Sequence, residues 1–217
     1  MFRAILYTQW KWSRLVILLA TLAAFALPLL SVQGAQGPVG YWETRQLLSA
    51  VQGWGVLYPV LATAIALIVA MVAWAPDHRG RHVYALSLPL PRWHYALLRF
   101  AAGATLLAAP VVAVWLGGIL ATSMAVIPAG LHAYPTMLAV RFGLAVLVVY
   151  SIFFAISAGT VRTAGYFLGA LGLVVAFETV ANAAGAQIHL FENMMMLLIV
   201  WPGPFDVLTG RWMLIDV

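Results

Sequence analysis

The side chains that could perform chemistry are few, and each lacks a partner that the chemistry requires. His78 and His82 have the i, i+4 spacing of a metal-binding pair, but Asp77 is the only further ligand type nearby, so a solvated helix face is the favoured interpretation. Ser157 lies in the string Ile156-Ser157-Ala158-Gly159, which differs from the Gly-x-Ser-Gly string of a membrane serine protease. We therefore expect no catalytic residue and no metal site.

Nucleotide and redox chemistry also lack their residues. A P-loop needs glycines before a lysine, and the only lysine of the chain, Lys11, follows Trp10 with no glycine before it. The chain has no cysteine, and none of its five histidines lies in the middle of an apolar run. Thiol chemistry and haem ligation between helices are therefore unsupported, and we expect this chain to bind no cofactor itself.

The composition indicates a membrane protein. Hydrophobic residues make up 65% of the 217 residues and charged residues only 8%, whereas soluble domains are roughly 45–50% apolar and about 25% charged. The net charge of +5 does not indicate a nucleic-acid partner, because the basic residues lie between apolar runs and form no patch with aromatic residues. We predict an all-α polytopic membrane protein with a single transmembrane domain over residues 1–217.

Five apolar runs are long enough to cross about 30 Å of hydrocarbon as helices. The predicted spans are Leu15 to Val32, Val56 to Ala75, Tyr95 to Ala121, Met137 to Ser157 and Ala164 to Ala183. With a cytoplasmic N-terminus, eight of the eleven basic residues fall on the inner side, namely Arg3, Lys11, Arg14, Arg79, Arg81, Arg92, Arg99 and Arg162. The positive-inside rule therefore predicts a plasma (inner) membrane protein with its N-terminus in the cytoplasm.

Three segments outside these runs have patterns of their own. Residues 1–14 are predicted to form an amphipathic elbow helix in the inner interface, turning into the first span, rather than the start of a signal peptide. Residues 33–52 predict a helix in an outer loop. Residues 184–217 are open to three interpretations, because the apolar run Met194 to Trp201 covers only about 12 Å. This run is a short helix that enters the membrane partway, the first part of a broken sixth span that reaches the inside near Arg211, or the outer approach to a further span.

The longest connection on the predicted inner side runs from Asp77 to Phe100. It begins with a charged turn, continues through a predicted short helix from about Arg81 to Leu88, and stops at Pro89 before the third span. A short helix between two spans at the inner interface is suited to docking a soluble partner. The alternative is a positive-inside loop without a partner.

This connection resembles that of the transmembrane subunits of type-2 ATP-binding-cassette exporters, the ABC-2-type permease family. In that family an acidic residue and a glycine precede a short coupling helix, which ends in a Ser-Leu-Pro-like string and is followed by a basic residue. The matching positions are Asp77, Gly80, Leu86-Ser87-Leu88-Pro89 and Arg92. The resemblance implies an ATPase-coupling segment over residues 77–94, with candidate residues Asp77, Arg79, Gly80, Arg81, His82, Val83, Tyr84, Leu86, Ser87, Pro89 and Arg92.

The resemblance also implies a transport subunit rather than an enzyme. Two permease chains, identical or related, would pair in the lipid, and two separate ATPase subunits would carry the ATP and Mg. Closure of the ATPases would move the coupling helices together and rock the spans, so that a hydrophobic or amphipathic substrate moves outward. The alternative is a non-catalytic membrane scaffold or assembly subunit of a larger complex, which needs the same spans but no coupling helix.

Polar residues within the predicted spans call for partners, because charges in a bilayer are costly. Arg141 and Glu178 lie at similar depth in antiparallel neighbouring spans, and we predict an ion pair between them. The alternatives are that both reach outer water or that Glu178 contacts a cationic substrate. Asn182, one turn beyond Glu178, could share any of these three roles.

The fifth predicted span carries small residues at i, i+4, i+7 and i+11, namely Gly165, Gly169, Gly172 and Ala176. Such a stripe allows close helix packing and predicts a seam with the second permease chain or a neighbouring span. Packing within the chain is the alternative.

Overall fold

The apolar runs form long helices because few glycines or prolines interrupt them. A computed structural model of the chain describes residues 1–33, 44–79, 91–125, 127, 130–159, 161–183, 189–199 and 203–216. These residues form α1 (Phe2–Gln33), α2 (Thr44–Gly55), α3 (Leu57–Arg79), α4 (Arg92–Met124), β1 (His132–Ala133), α5 (Pro135–Ala158), α6 (Val161–Ala183), α7 (Leu190–Ile199), a 3-10 helix (Asp206–Leu208) and β2 (Ile215–Asp216).

Four helices of the described residues are long and apolar enough to cross a membrane. They are Phe2–Gln33, Leu48–Asp77, Arg92–Met124 and Pro135–Ala158, and each contains one of the first four predicted spans. The second stretch comprises the end of α2 and most of α3, which a single turn residue, Val56, separates. The predicted helical architecture is thus confirmed, and it is consistent with a membrane-embedded protein. The fifth run also forms a helix, α6, of 23 residues, in which the described residues include the shorter apolar stretch Gly172–Ala181. A fifth or sixth span stays a prediction.

The chain divides into two compact units. The first comprises Met1–Phe154 with Arg211–Val217, and the second comprises Ala155–Gly210. In the first unit α1 packs along α4, and α3 packs against both. Small side chains make this close packing possible: a Cβ atom on Gly117 of α4 would overlap the backbone of Phe25 in α1.

The N-terminal segment differs from the predicted elbow. α1 is one continuous helix of 32 residues, and residues 1–14 are its first turns rather than a separate element. The physical reason is that no glycine or proline lies between Phe2 and Pro28. Gln9 and Ser13 in this segment are buried. The predicted outer-loop helix corresponds to α2, which begins at Thr44, and residues 34–43 lie outside the described part of the chain.

The chain returns to the first unit at residues 211–216, here called the strap. β2 of the strap pairs antiparallel with β1, with Ala133 opposite Ile215, and the Tyr134 amide donates to the Leu214 carbonyl at 2.9 Å. Because β1 lies between the end of α4 and the start of α5, the strap lies near the C-terminal end of α4, far from Arg92 at its start. The three interpretations of residues 184–217 stay predictions.

The second unit is built on α6 and α7, which pack against each other. α7 has ten residues, or about 15 Å of helix. The Phe205 amide donates to the Leu198 carbonyl at 2.9 Å and turns the chain back after α7. Gly203 is required at this turn, because a Cβ atom there would overlap the carbonyl oxygens of Leu197 and Leu198.

Candidate functional site

A buried ion pair joins the two helices that flank the 80–90 segment. Nη2 of Arg99 in α4 lies 3.1 Å from Oδ1 of Asp77 in α3, and their side chains are 6% and 2% exposed. The Tyr95 hydroxyl lies 3.2 Å from the same carboxylate oxygen, and Arg99 Nη1 also donates to the carbonyl of Ala73. The carboxylate and the guanidinium thus hold the end of α3 against the start of α4.

Helical spacing explains how this cluster assembles. Ala73 and Asp77 are four residues apart on α3, and Tyr95 and Arg99 are four residues apart on α4, so each pair lies on one helix face. α1 adds Gln9, whose Nε2 donates to the Arg99 carbonyl at 3.2 Å. Three helices therefore meet at a polar contact, which we call the loop-end cluster: Gln9, Asp77, Tyr95 and Arg99.

Aromatic rings enclose the charged part of the cluster. The Arg99 guanidinium carbon lies 5.0 Å from the ring centre of Tyr95 and 5.3 Å from that of Trp74. Cation–π contacts of this length stabilise a desolvated guanidinium. The Trp74 indole nitrogen donates to the Phe154 carbonyl at 3.2 Å and so extends the contacts to α5.

A cavity of about 360 Å³ opens beside the cluster and is lined by Gln9, Asp77, Tyr95 and Arg99 together with the first turns of α1. Among the residues that the structure describes, Gln9 Oε1 and Arg99 Nε are buried here without a hydrogen-bond partner. Unsatisfied buried polar atoms are costly, by about 1–3 kcal/mol each. The cavity is thus lined on one side by the polar side chains of Gln9, Asp77, Tyr95 and Arg99.

A second cluster lies at the other end of the first unit. The guanidinium carbon of Arg141 lies 4.8 Å from the ring centre of Trp212 in the strap, and Arg141 Nη1 donates to the Arg211 carbonyl at 2.6 Å. The Trp212 ring stacks on Tyr58 of α3 at 6.2 Å. Arg141 therefore helps to hold the strap on α3 and α5.

The predicted coupling residues fall into three groups. Asp77 is buried in the ion pair, whereas Arg92 is exposed at the start of α4. Arg79 is the last residue of α3. The other predicted coupling residues lie outside the described residues, and so does the predicted coupling helix; they are Gly80, Arg81, His82, Val83, Tyr84, Leu86, Ser87 and Pro89. Docking of an ATPase on this segment stays a prediction.

The predicted intramembrane polar residues lie in two different units. Arg141 belongs to the first unit and contacts the strap, which the sequence patterns did not indicate. Glu178 and Asn182 belong to α6 of the second unit. The ion pair between Arg141 and Glu178 stays a prediction.

The predicted small-residue seam lies on α6. A Cβ atom added to Gly169 or Gly172 would meet nothing within 4 Å among the described residues, and Ala176 is exposed. The described part of the second unit therefore leaves these three positions uncovered. Gly165 is a helical residue of α6.

Sequence reasoning recognised Asp77 and Arg99 separately but not their contact. The sequence patterns indicate a coupling segment at Asp77 and a topology signal at Arg99. Their near-equal distances from the turn between two antiparallel spans would have indicated the pairing, as the same argument did for Arg141 and Glu178. The strap gave no comparable signal, because a two-residue strand is too short for a pattern.

Comparisons with known proteins identify no family for this chain. No protein-family model matches it, and no curated protein or solved structure matches it either.

Proposed function

We propose that this chain is the transmembrane subunit of an ATP-driven exporter. It would pair with a second permease chain, identical or related, and bind two separate ATPase subunits that carry ATP and Mg. The four long apolar helices supply the membrane-embedded part. The sequence resemblance over residues 77–94 supplies the reason to assign the 80–90 segment to ATPase docking.

The observation that carries the proposal is the ion pair at the base of that segment. A docked partner can move spans only if its docking element is firmly joined to them. Asp77 lies three residues before Gly80, and Arg99 lies two turns into α4. Their 3.1 Å contact therefore joins the helix before the segment to the helix after it. Displacement of the segment would then reach α3 and α4 as one body.

The contact between α1 and the cluster extends this connection. Gln9 donates to the Arg99 carbonyl, and α1 packs along α4. In the proposed cycle, ATP binding closes the two ATPases and draws the 80–90 segments of the two chains together. α1, α3 and α4 follow as a unit, and the path between the chains opens outward to release a hydrophobic or amphipathic substrate.

The test is purification of the complex from native membranes, followed by sequencing of its subunits and assay of ATP hydrolysis. We expect a P-loop ATPase in stoichiometric amount, lost when Tyr84 or Leu86 is replaced by Asp. The matched control is Tyr134→Asp, an exposed tyrosine at the strap end. A stable complex of the chain that contains no ATPase would favour the scaffold alternative and contradict the proposal.

A further inference from the structure

The charged residues of α1, α3 and α4 all lie near one end of each helix. They occupy the first 13 residues of α1, the last three of α3 and the first eight of α4, and the rest of each helix carries no charge. They are Arg3, Lys11, Arg14, Asp77, Arg79, Arg92 and Arg99.

Packing brings the charged ends of α1 and α4 together. Gln9 donates to the Arg99 carbonyl, and Gly117 lies against the backbone of Phe25. Because these contacts join residues 90 and 92 positions apart, α1 and α4 run parallel, and each residue of α1 lies level with the residue about 90 positions later. Arg92 at the start of α4 therefore lies level with the first turn of α1, although it is distant from that turn in the sequence.

The charge at this end is positive and uncompensated within the helices. Asp77 is the only acidic residue of α1, α3, α4 and α5, and its carboxylate is already neutralised by Arg99 at 3.1 Å. The first turns of α1 and α4 contain no acidic residue, so the positive ends of both helix dipoles add to the charge. The exposed cationic side chains, here called the basic patch, are Arg3, Lys11, Arg14 and Arg92.

Tryptophans adjoin the basic patch. Trp10 precedes Lys11 and is 36% exposed, and Trp93 follows Arg92 and is 66% exposed. Exposed indoles beside basic residues, at the start of long uncharged helices, are typical of a surface that meets lipid headgroups. A soluble acidic partner would be attracted by the cations but would not require indoles or the apolar helices that continue from them.

We propose that the basic patch binds the headgroups of anionic phospholipids, with their phosphate groups paired to Lys11 and Arg14 of α1 and to Arg92 of α4. Each basic residue near an anionic lipid surface strengthens binding by about fivefold. The bound headgroups would hold the starts of α1 and α4 at one lipid surface. This binding does not depend on the proposed docking of an ATPase, because the patch lies outside the 80–90 segment.

The first experiment titrates lipids onto the purified wild-type chain in a neutral detergent and counts them by native mass spectrometry. Anionic phosphatidylglycerol is compared with zwitterionic phosphatidylcholine of the same acyl chains. We expect phosphatidylglycerol to bind roughly 10-fold or more tightly. Because the patch is exposed, the preference should shrink as ammonium acetate is raised from about 0.1 M to about 1 M. Equal binding of the two lipids, or a preference that does not respond to salt, would overturn the proposal.

Matched variants locate the binding within the chain. The double variant Lys11→Gln, Arg14→Gln removes two charges from exposed positions, and we expect the preference for phosphatidylglycerol to fall by roughly fivefold or more. Lys11→Arg with Arg14→Lys keeps both charges and should keep the preference. Arg211→Gln removes the charge of an exposed arginine in the strap and should leave the preference unchanged. An undiminished preference in the double Gln variant, or an equal loss in Arg211→Gln, would show that the patch is not the site.

A competition arm separates a lipid surface from a soluble acidic partner. A polyglutamate peptide or a short RNA is added to the phosphatidylglycerol complex of the wild-type chain. We expect the lipid to stay bound, because its acyl chains also contact the apolar helices beside the patch. Displacement of the lipid by either polyanion at micromolar concentration would assign the patch to a protein or a nucleic acid and contradict the proposal.

Discussion

Asp77 and Arg99 lie 22 positions apart in the chain, yet their side chains meet at 3.1 Å with almost no exposure to solvent. Burying two charges costs free energy that their attraction does not fully return, so such a pair is weak evidence for stability. Its contribution here is positional, because it fixes the end of α3 against the start of α4.

Removal of one member of the ion pair should leave the other charge buried and unpaired. We expect Arg99→Met to destabilise the protein by about 3–5 kcal/mol, seen as a lower midpoint in thermal unfolding in detergent. The double variant Asp77→Leu, Arg99→Met removes both charges and should recover most of the loss. Arg92→Met, an exposed arginine of the same helix, is the control. Equal stability of Arg99→Met and Arg92→Met would show that the pair does not form.

Close packing of α1 on α4 depends on Gly117. A Cβ atom there would overlap the Phe25 backbone, which cannot move aside as a flexible side chain can. We expect Gly117→Ala to cost about 1–3 kcal/mol of stability. Gly53→Ala is the control, because nothing lies within 4 Å of an added Cβ among the described residues. The measurement compares the thermal unfolding midpoints of the two variants. An unchanged midpoint in Gly117→Ala would rule out the close contact.

Substitution of the uncovered glycines of α6 distinguishes packing within the chain from packing between chains. Gly169→Ala with Gly172→Ala should change the thermal midpoint of the single chain little, or raise it by the helix propensity of alanine, about 1 kcal/mol per site. If these glycines contact a second permease chain, the double variant weakens cross-linking between chains at equal protein concentration. A drop in midpoint like that of Gly117→Ala would instead assign the glycines to packing within the chain.

Trp212 fastens the strap. Its side chain is 4% exposed and stacks on Tyr58, so Trp212→Ala should loosen residues 211–216 at a cost of about 3–5 kcal/mol. The expected readout is faster trypsin cleavage after Arg211, whose carbonyl accepts a hydrogen bond from Arg141. Trp93→Ala, a tryptophan that is 66% exposed, should leave the cleavage rate unchanged. Resistance of Trp212→Ala to trypsin would contradict the role of this contact.

The long helices were predictable because their cause is local. A run such as Val56 to Ala75 is apolar and long enough to cross a bilayer, and a helix pairs its backbone groups within the segment itself. The elbow was predicted as a separate helix because residues 1–14 are amphipathic, but amphipathicity does not break a helix. Only a glycine, a proline or a competing contact does, and the segment from Phe2 to Leu27 has no glycine or proline.

The sites were less predictable because they depend on contacts between distant residues. Arg99 is both a basic residue near the end of a span and the partner of Asp77, and the positive-inside rule uses only the first property. Nothing in the sequence distinguishes Trp212 from the other tryptophans, whereas the structure buries it against Tyr58. The contacts Arg99–Asp77 and Trp212–Tyr58 do not follow from the spacing of apolar residues along a helix. Each joins two elements whose relative positions depend on the packing of the whole unit.

The central claim is that the 80–90 segment docks an ATPase, and site-specific photo-cross-linking in native membranes tests it most directly. A photoreactive amino acid is placed at Tyr84 in one variant and at Tyr134, at the strap end, in the other. We predict that the probe at position 84 captures a protein with a P-loop, and that ATP with vanadate changes the yield, while the probe at position 134 does not capture it. Capture of no P-loop protein at position 84, or equal capture at both positions, would contradict the account.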